Sequence, residues 1–173
     1  MIELIVLLAI TPVMADPGIT PDNPLYFLDL FFDELKMFIA SLQGVEALAR
    51  AKAEVLNERL AELYAMATAN KTDKVATVLH HVNSLVEDLR ALATTHPHVA
   101  SICMQGLEVA ERVLNMCMDI CPEEAKYGLQ TAIENIKRGK EWLNETIHAW
   151  KEQWEKREQC RECWRERVPY RQY

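Results

Sequence analysis

Apolar residues recur along most of this chain at steps of three and four positions, the spacing of one face of an α-helix. The first such stretch follows Asn23 and Pro24, a capping residue and a proline at the first helical position, and ends at Gly44. Its apolar stripe comprises Leu28, Phe31, Phe32, Leu35, Phe38, Ile39 and Leu42. Its other side carries Asp29, Asp33, Glu34 and Lys36. The pattern predicts an amphipathic helix whose apolar stripe needs a packing partner.

Three more helices are predicted before residue 120. The second helix, over about 45–69, is rich in Ala, Leu, Glu and Arg, which are strong helix formers. The third, capped by Thr72 and Asp73, carries the most regular apolar stripe of the chain, and the fourth covers about 99–118. No stretch shows the apolar–polar alternation of a β-strand. Short connections between amphipathic helices predict an all-α, up-and-down bundle of about five helices.

The fifth helix is predicted to be much longer than the others. One heptad phase continues through Gly139, where a genuine turn would have reset it. The residues in this phase are Leu129, Ile133, Ile136, Leu143, Ile147, Trp150 and Trp154. A single helix from Glu123 to Arg165 would be roughly 60 Å long at about 1.5 Å per residue, against about 30–37 Å for the preceding helices. We therefore expect a bundle over residues 16–122, and a long helix over 123–173 that packs on the bundle and extends beyond it.

The first fifteen residues form an apolar segment that ends before Asp16, Pro17 and Gly18. Val13 and Ala15 fit positions −3 and −1 of a signal-peptide cleavage site, and the segment is shorter than the about 20 residues needed to span a bilayer. The sequence therefore predicts a signal peptide over residues 1–15 and an extracytoplasmic protein with no transmembrane segment after signal removal. A buried N-terminal helix of a cytosolic protein is the alternative, because no basic residue precedes the apolar run.

Charge and composition disfavour two classes of function. The net charge of −7 argues against a nucleic-acid partner, because phosphate binding needs clustered positive charge. The sequence has no glycine-rich loop of the kind that cradles phosphates, so a nucleotide-binding enzyme is not expected. Half of the residues are apolar, which is enough for one domain with a substantial core. We expect no catalytic residues and no cofactor.

Four of the five cysteines come in close pairs, Cys117 with Cys121 and Cys160 with Cys163. In an exported protein such cysteines ordinarily form disulfides, either within a pair or between copies of the C-terminal helix. Two close pairs also match a structural zinc site, but an unbroken fifth helix would separate Cys121 from Cys160 by about 55–60 Å. A four-cysteine metal site within one chain would therefore require the fifth helix to fold back. The remaining cysteine, Cys103, is predicted to be a small buried apolar residue.

Two sequence motifs carry a family resemblance. Residues 20–28 read Thr-Pro-Asp-Asn-Pro-Leu-Tyr-Phe-Leu, and the later pieces 49–51 and 58–62 read Ala-Arg-Ala and Glu-Arg-Leu-Ala-Glu. They resemble an uncharacterised extracytoplasmic helical domain of archaea and bacteria, domain-of-unknown-function family 5667, over roughly residues 17–92. The resemblance implies a helical fold and an extracytoplasmic location. It implies no catalytic residues, because the family has no assigned activity.

These patterns together predict a non-enzymatic exported helical bundle that acts by protein–protein contact or self-association in the cell envelope. Its contact region is expected on the C-terminal helix at Trp150, Trp154 and Trp164, because exposed tryptophan on a lone helix lowers solubility. The alternative is a thiol- or metal-binding, or redox-responsive, envelope module. Its site residues would be the paired cysteines Cys117, Cys121, Cys160 and Cys163.

Overall fold

Helices make up almost all of the described chain. The computed structural model describes residues 16–167, and the side chains at 160 and 162–167 lie outside that description. The helices are α1 (Tyr26–Gln43), α2 (Val45–Thr68), α3 (Thr72–Thr95), α4 (Ala100–Ile120) and α5 (Glu123–Arg167), with a 3₁₀ turn at Pro97–Val99. No strand occurs between residues 16 and 167, so the predicted all-α class is confirmed. Within the same residues, no helix is both long enough and apolar enough to cross a membrane.

The core lies between four of the five helices. α2 packs against α3 and α4, and α5 packs against the same two helices from the opposite side. The core is filled by fully buried aliphatic side chains from all four helices, including Leu56, Leu63, Leu89, Leu107, Leu114, Leu129, Ile136 and Leu143. Because no connection between consecutive helices exceeds four residues, successive helices run antiparallel. The helical bundle predicted from the sequence is therefore confirmed.

α5 is one uninterrupted helix of 45 residues, and it passes straight through Gly139. Gly139 is buried where α5 packs on α3 and α4. A methyl group on this residue would lie 3.0 Å from Arg90 Cδ and 3.2 Å from Leu107 Cδ2. The glycine therefore allows the helices to approach closely, and it makes no turn.

The C-terminal part of α5 runs past the core. Leu143 is its last fully buried residue, and Ile147 is the last apolar residue that packs against the core. Residues 148–167 then continue for about 30 Å at 1.5 Å per residue. The predicted signal peptide, residues 1–15, and the last residues, 168–173, lie outside the described part of the chain.

The starts of α1 and α3 differ from the predicted caps. α1 begins three residues after Asn23, whose Oδ1 accepts a hydrogen bond from the Leu25 N–H at 2.9 Å, so Asn23 organises the turn before the helix and is not its N-cap. The residue at the N-cap of α3 is Lys71, and no side chain caps this helix, so the cap predicted at Thr72 is wrong. Lys71 instead bonds to Asp22, and this bond lowers the pKa of the Asp22 carboxyl to about 2.

Candidate contact surface

The apolar stripe of α1 faces solvent. Among the described helices, the backbone of α1 lies close to α2 alone, and the buried residues of α1 are Asp33 and Ala40. Seven large apolar side chains, each 41–74% exposed, form what we call the outer face of α1: Phe27, Phe31, Phe32, Leu35, Phe38, Ile39 and Leu42. At 100° per residue they fall within an arc of about 140° that contains no charged side chain. The predicted stripe exists, but the bundle does not cover it.

Arg59 of α2 holds the polar side of α1 inwards. Its guanidinium is only 1% exposed, its Nε donates a hydrogen bond to Asp33 Oδ2 at 3.1 Å, and its Nη2 donates to both Asp29 and Asp33. A buried charge that loses its partner destabilises a protein by several kcal/mol. The carboxylates of α1 therefore have to face α2, and this orientation leaves the outer face in solvent.

Glu62 and Tyr26 complete the cluster around Arg59. Nη1 of Arg59 donates to Glu62 Oε1 at 2.5 Å and to the hydroxyl oxygen of Tyr26 at 3.0 Å. The Tyr26 hydroxyl in turn donates to Glu62 Oε2 at 3.0 Å. The guanidinium carbon lies 5.4 Å from the centroid of the Tyr26 ring, within range of a cation–π interaction. We call Tyr26, Asp29, Asp33, Arg59 and Glu62 the Arg59 cluster.

The Arg59 cluster sets three carboxyl groups around one positive charge. Burial raises the pKa of Glu62 to about 7 and outweighs the opposing effects of Arg59 and of the Tyr26 hydroxyl. Burial likewise raises the pKa of Asp33, and burial together with Glu62 raises the pKa of the Tyr26 hydroxyl. His81 of α3 meets the Tyr26 ring edge-on at 6.4 Å, and burial and Arg59 lower the pKa of its imidazole. The cluster therefore binds a proton near neutral pH.

This cluster was not predicted from the sequence, although the spacing of its residues is visible there. Arg59 lies three residues after Leu56 and four before Leu63, which places it on the inner side of α2. Asp29 and Asp33 are four residues apart and share one side of α1. Each feature taken alone is typical of a solvated helix surface. Only the packing of α1 on α2 brings them together.

A groove runs beside the outer face, between α1 and α2. Its volume is roughly 570 Å³. The apolar residues that line it are Phe32, Leu35, Ile39, Ala40, Ala47 and Ala51, and the polar ones include Lys36, Arg50 and Glu54. Small alanine side chains leave room beside the larger ones, so the groove can accept an apolar side chain from a partner.

The predicted contact residues of the C-terminal helix are exposed as well. Trp150 and Trp154 are 38% and 51% exposed, and their rings stack with centroids 5.8 Å apart and planes at 30°. The side chain of Trp164 lies outside the described residues. A partner for this region stays a prediction.

The cysteines do not form the predicted sites where the structure describes them. Cys117 and Cys121 are buried free thiols, so the structure has no disulfide between them, whereas Cys103 is fully buried as predicted. Burial raises the pKa of Cys117 to about 12. Because α5 does not fold back, a single chain cannot gather Cys121 with Cys160 and Cys163, whose side chains are not described. No group of three or more metal-ligating side chains lies within the described residues.

More than half of the chain matches a known family. A sequence profile for a domain of unknown function (DUF5667) matches residues 18–124. The chain belongs to the DUF5667 family. Comparisons with curated proteins and with solved structures found no match. The matched range runs from before α1 to the first residues of α5, so it extends further than residues 17–92, over which the resemblance was recognised.

In this DUF5667 domain, the two sequence motifs that indicated the family lie in contact with each other. Tyr26 belongs to the segment 20–28, whereas Arg59 and Glu62 belong to the piece 58–62, and the Arg59 cluster joins them. The cluster and the outer face of α1 both lie within the matched range. The exposed tryptophans of α5 lie beyond it.

Proposed function

We propose that this DUF5667 domain is a non-enzymatic protein-contact module whose contact surface is the outer face of α1. The exposure of that face carries the proposal. Its four phenylalanines are 58–63% exposed, which is roughly 500 Å² at about 200 Å² for a whole aromatic side chain. Contiguous apolar patches of this size on soluble proteins typically mark interaction sites.

The Arg59 cluster supports this function because it determines how α1 is oriented. Burial of apolar area alone would favour packing the phenylalanines of α1 against the bundle. The ion pairs of Arg59 with Asp29 and Asp33 require the opposite orientation. A helix that is held with its apolar side in solvent is suited to contact with another protein.

The absence of catalytic function is part of the proposal, and two features support it. The charged groups of the Arg59 cluster bond to one another beneath α1, which leaves them engaged in structural contacts. Burial raises the pKa of Cys103 to about 11 and that of Cys117 to about 12, which keeps both thiols protonated and weakly nucleophilic.

We also propose that the domain acts outside the cytoplasm, in the cell envelope, with Trp150 and Trp154 as a second contact point. The apolar segment 1–15, with small residues at its end, supports export. Intact mass of the protein recovered from cells, with and without reductant, tests this location and also reports any disulfide. We expect a product that has lost residues 1–15. A full-length product confined to the cytoplasm would contradict the proposal.

Photo-crosslinking in the native cell tests the contact surface directly. A photoreactive residue replaces Phe38 on the outer face, and a control places the same residue at Gln130, which is exposed on α5. We expect an adduct with a protein from position 38 and a much weaker one from position 130. The same photoreactive residue is also placed at Phe31. If neither position 31 nor position 38 gives a protein adduct in folded protein, the outer face is not a contact surface.

A further inference from the structure

We infer that the partner of the outer face is a second copy of this chain, which packs its own outer face against it. This inference rests on the proposed function and adds the identity of the partner. The supporting observations are the area of the outer face, the presence of both protruding side chains and a groove, and the charges around them.

The area of the outer face approaches that of a dimer interface. Its four phenylalanines expose roughly 500 Å² per copy at about 200 Å² for each whole aromatic side chain, and the aliphatic Leu35, Ile39 and Leu42 are exposed by 41%, 47% and 74% in addition. A typical specific interface buries about 800 Å² per partner. The outer face therefore supplies most of the apolar area that a dimer interface of this size needs.

The outer face and the groove together offer both protruding side chains and a recess. A twofold dimer presents the same surface from both copies, so protrusions and recesses must occur together. Phe31 and Phe38 protrude at one edge of the outer face. The groove, which has a volume of roughly 570 Å³ and is lined by Phe32, Ala47 and Ala51 among others, lies along the other edge. Aromatic side chains seated in such recesses commonly carry most of the binding energy of an interface. Each copy can therefore supply the anchor that the groove of the other copy accepts.

The charges around the outer face favour a protein partner over an anionic membrane. Helices that lie on membranes are rich in Lys and Arg on their polar side. α1 has a single basic residue, Lys36, which pairs with Glu54 and Glu58 at 3.1 Å, and the whole chain has a net charge of −7. Because the outer face itself carries no charge, two acidic copies can meet there without like charges inside the interface.

Sedimentation velocity of the full chain tests the inference, with reductant present to prevent disulfide-linked dimers. Over roughly 1–200 µM, a range that spans ordinary homodimer affinities, we expect a reversible shift from 19.9 kDa to twice that mass. The double variant Phe31→Glu/Phe38→Glu should weaken dimerisation by about 100-fold, as expected from losing two anchors. Its thermal unfolding should match that of the wild type at concentrations at which both are monomeric, because both side chains are exposed in the single chain.

Two further double variants show whether loss of the dimer could instead come from misfolding or from a contact made by α5. Phe27→Ser/Phe38→Ser introduces no charge and should also weaken the dimer. Trp150→Ser/Trp154→Ser should leave the dimer intact. The inference is overturned if the wild-type chain is monomeric throughout, if the outer-face variants dimerise normally, or if the tryptophan variant alone loses the dimer. Binding of the monomer to phosphatidylglycerol vesicles through Phe31 and Phe38 would also overturn it.

The crosslink from position 38 separates this inference from the proposed function. An adduct of twice the chain mass supports both. An adduct with a different protein overturns the second-copy inference and leaves the proposed function standing. The lack of any protein adduct contradicts both.

Discussion

Tyr26 donates its hydroxyl hydrogen to Glu62 at 3.0 Å, and both side chains also bond to Arg59. Tyr26 is the first residue of α1 and Glu62 lies on α2, so this bond attaches the start of α1 to the bundle. Much of the attachment of α1 is polar, because the large side chains of its outer face are exposed and only smaller apolar contacts, such as those of Met37 and Ala40, are made on its inner side. The position of the outer face therefore depends on a buried charge cluster, which mutation and pH can both perturb.

Replacing Arg59 by methionine should release α1 from α2. The substitution leaves Asp29, Asp33 and Glu62 without their cation, and removing one partner of a buried ion pair typically costs about 3–5 kcal/mol. We expect the free energy of unfolding to fall by about that amount in urea titrations, and limited proteolysis to cleave within α1 first. Arg50→Met, an exposed arginine on the same helix, should change stability by less than about 0.5 kcal/mol. Equal losses in the two variants would show that Arg59 does not hold α1.

Stability should decrease as the pH rises from 5 to 8. Burial raises the pKa of Glu62 to about 7 in the folded protein, from an ordinary value of 4.5. Between these values the folded state keeps a proton that the unfolded chain has released, so stability present at pH 4.5 is lost as the pH rises through about 7. Since one pKa unit corresponds to about 1.4 kcal/mol, a decrease of about 2–3 kcal/mol is expected in urea titrations.

The variant Glu62→Gln isolates this effect, because the amide does not titrate. It should remove most of the pH dependence, whereas Glu108→Gln, at an exposed position of α4, should keep it. The raised pKa of Asp33 acts in the same direction as Glu62, and the lowered pKa of His81 opposes them below its ordinary value of 6.5. A Glu62→Gln protein with an unchanged slope would exclude Glu62 as the titrating group.

Alanine substitutions at two buried glycines should have opposite effects. Alanine stabilises a helix interior by about 1 kcal/mol relative to glycine. At Gly106 the new methyl group would lie 3.4 Å from Leu89 Cδ1, an ordinary contact, so stability should rise. At Gly139 it would lie 3.2 Å from the buried Leu107, and overpacking of about 1–3 kcal/mol should outweigh the gain. Thermal unfolding measures the stability of both alanine variants. A Gly139→Ala protein that is more stable than the wild type would contradict the close packing of α5.

Truncating side chains along α5 should show where the core ends. Leu143→Ala should lower the free energy of unfolding by about 2–5 kcal/mol, because Leu143 is fully buried. Trp154→Ala removes a larger side chain but should change stability by less than about 0.5 kcal/mol when measured on the monomer. A large loss from Trp154→Ala would mean that the extension packs on the bundle.

Local periodicity was sufficient to predict the helices of this chain. The bounds of α2 and α4 agree with the prediction to within two residues, and the heptad phase through Gly139 correctly indicated one long α5. These features depend on residues that are near each other in sequence. The family was also recognisable at this level, because its motifs are short and continuous.

Periodicity could not predict which side of α1 faces the bundle, since an amphipathic helix has the same pattern in either orientation. That choice depends on Arg59, whose partners Asp29 and Asp33 lie on a different helix. Only packing places these three residues in one buried site, where leaving a charge without its partner costs about 3–5 kcal/mol. The phenylalanines of the outer face were evident in the sequence. The buried ion pairs that keep these side chains in solvent arise only from the fold, and they are the reason that the outer face is a candidate contact surface.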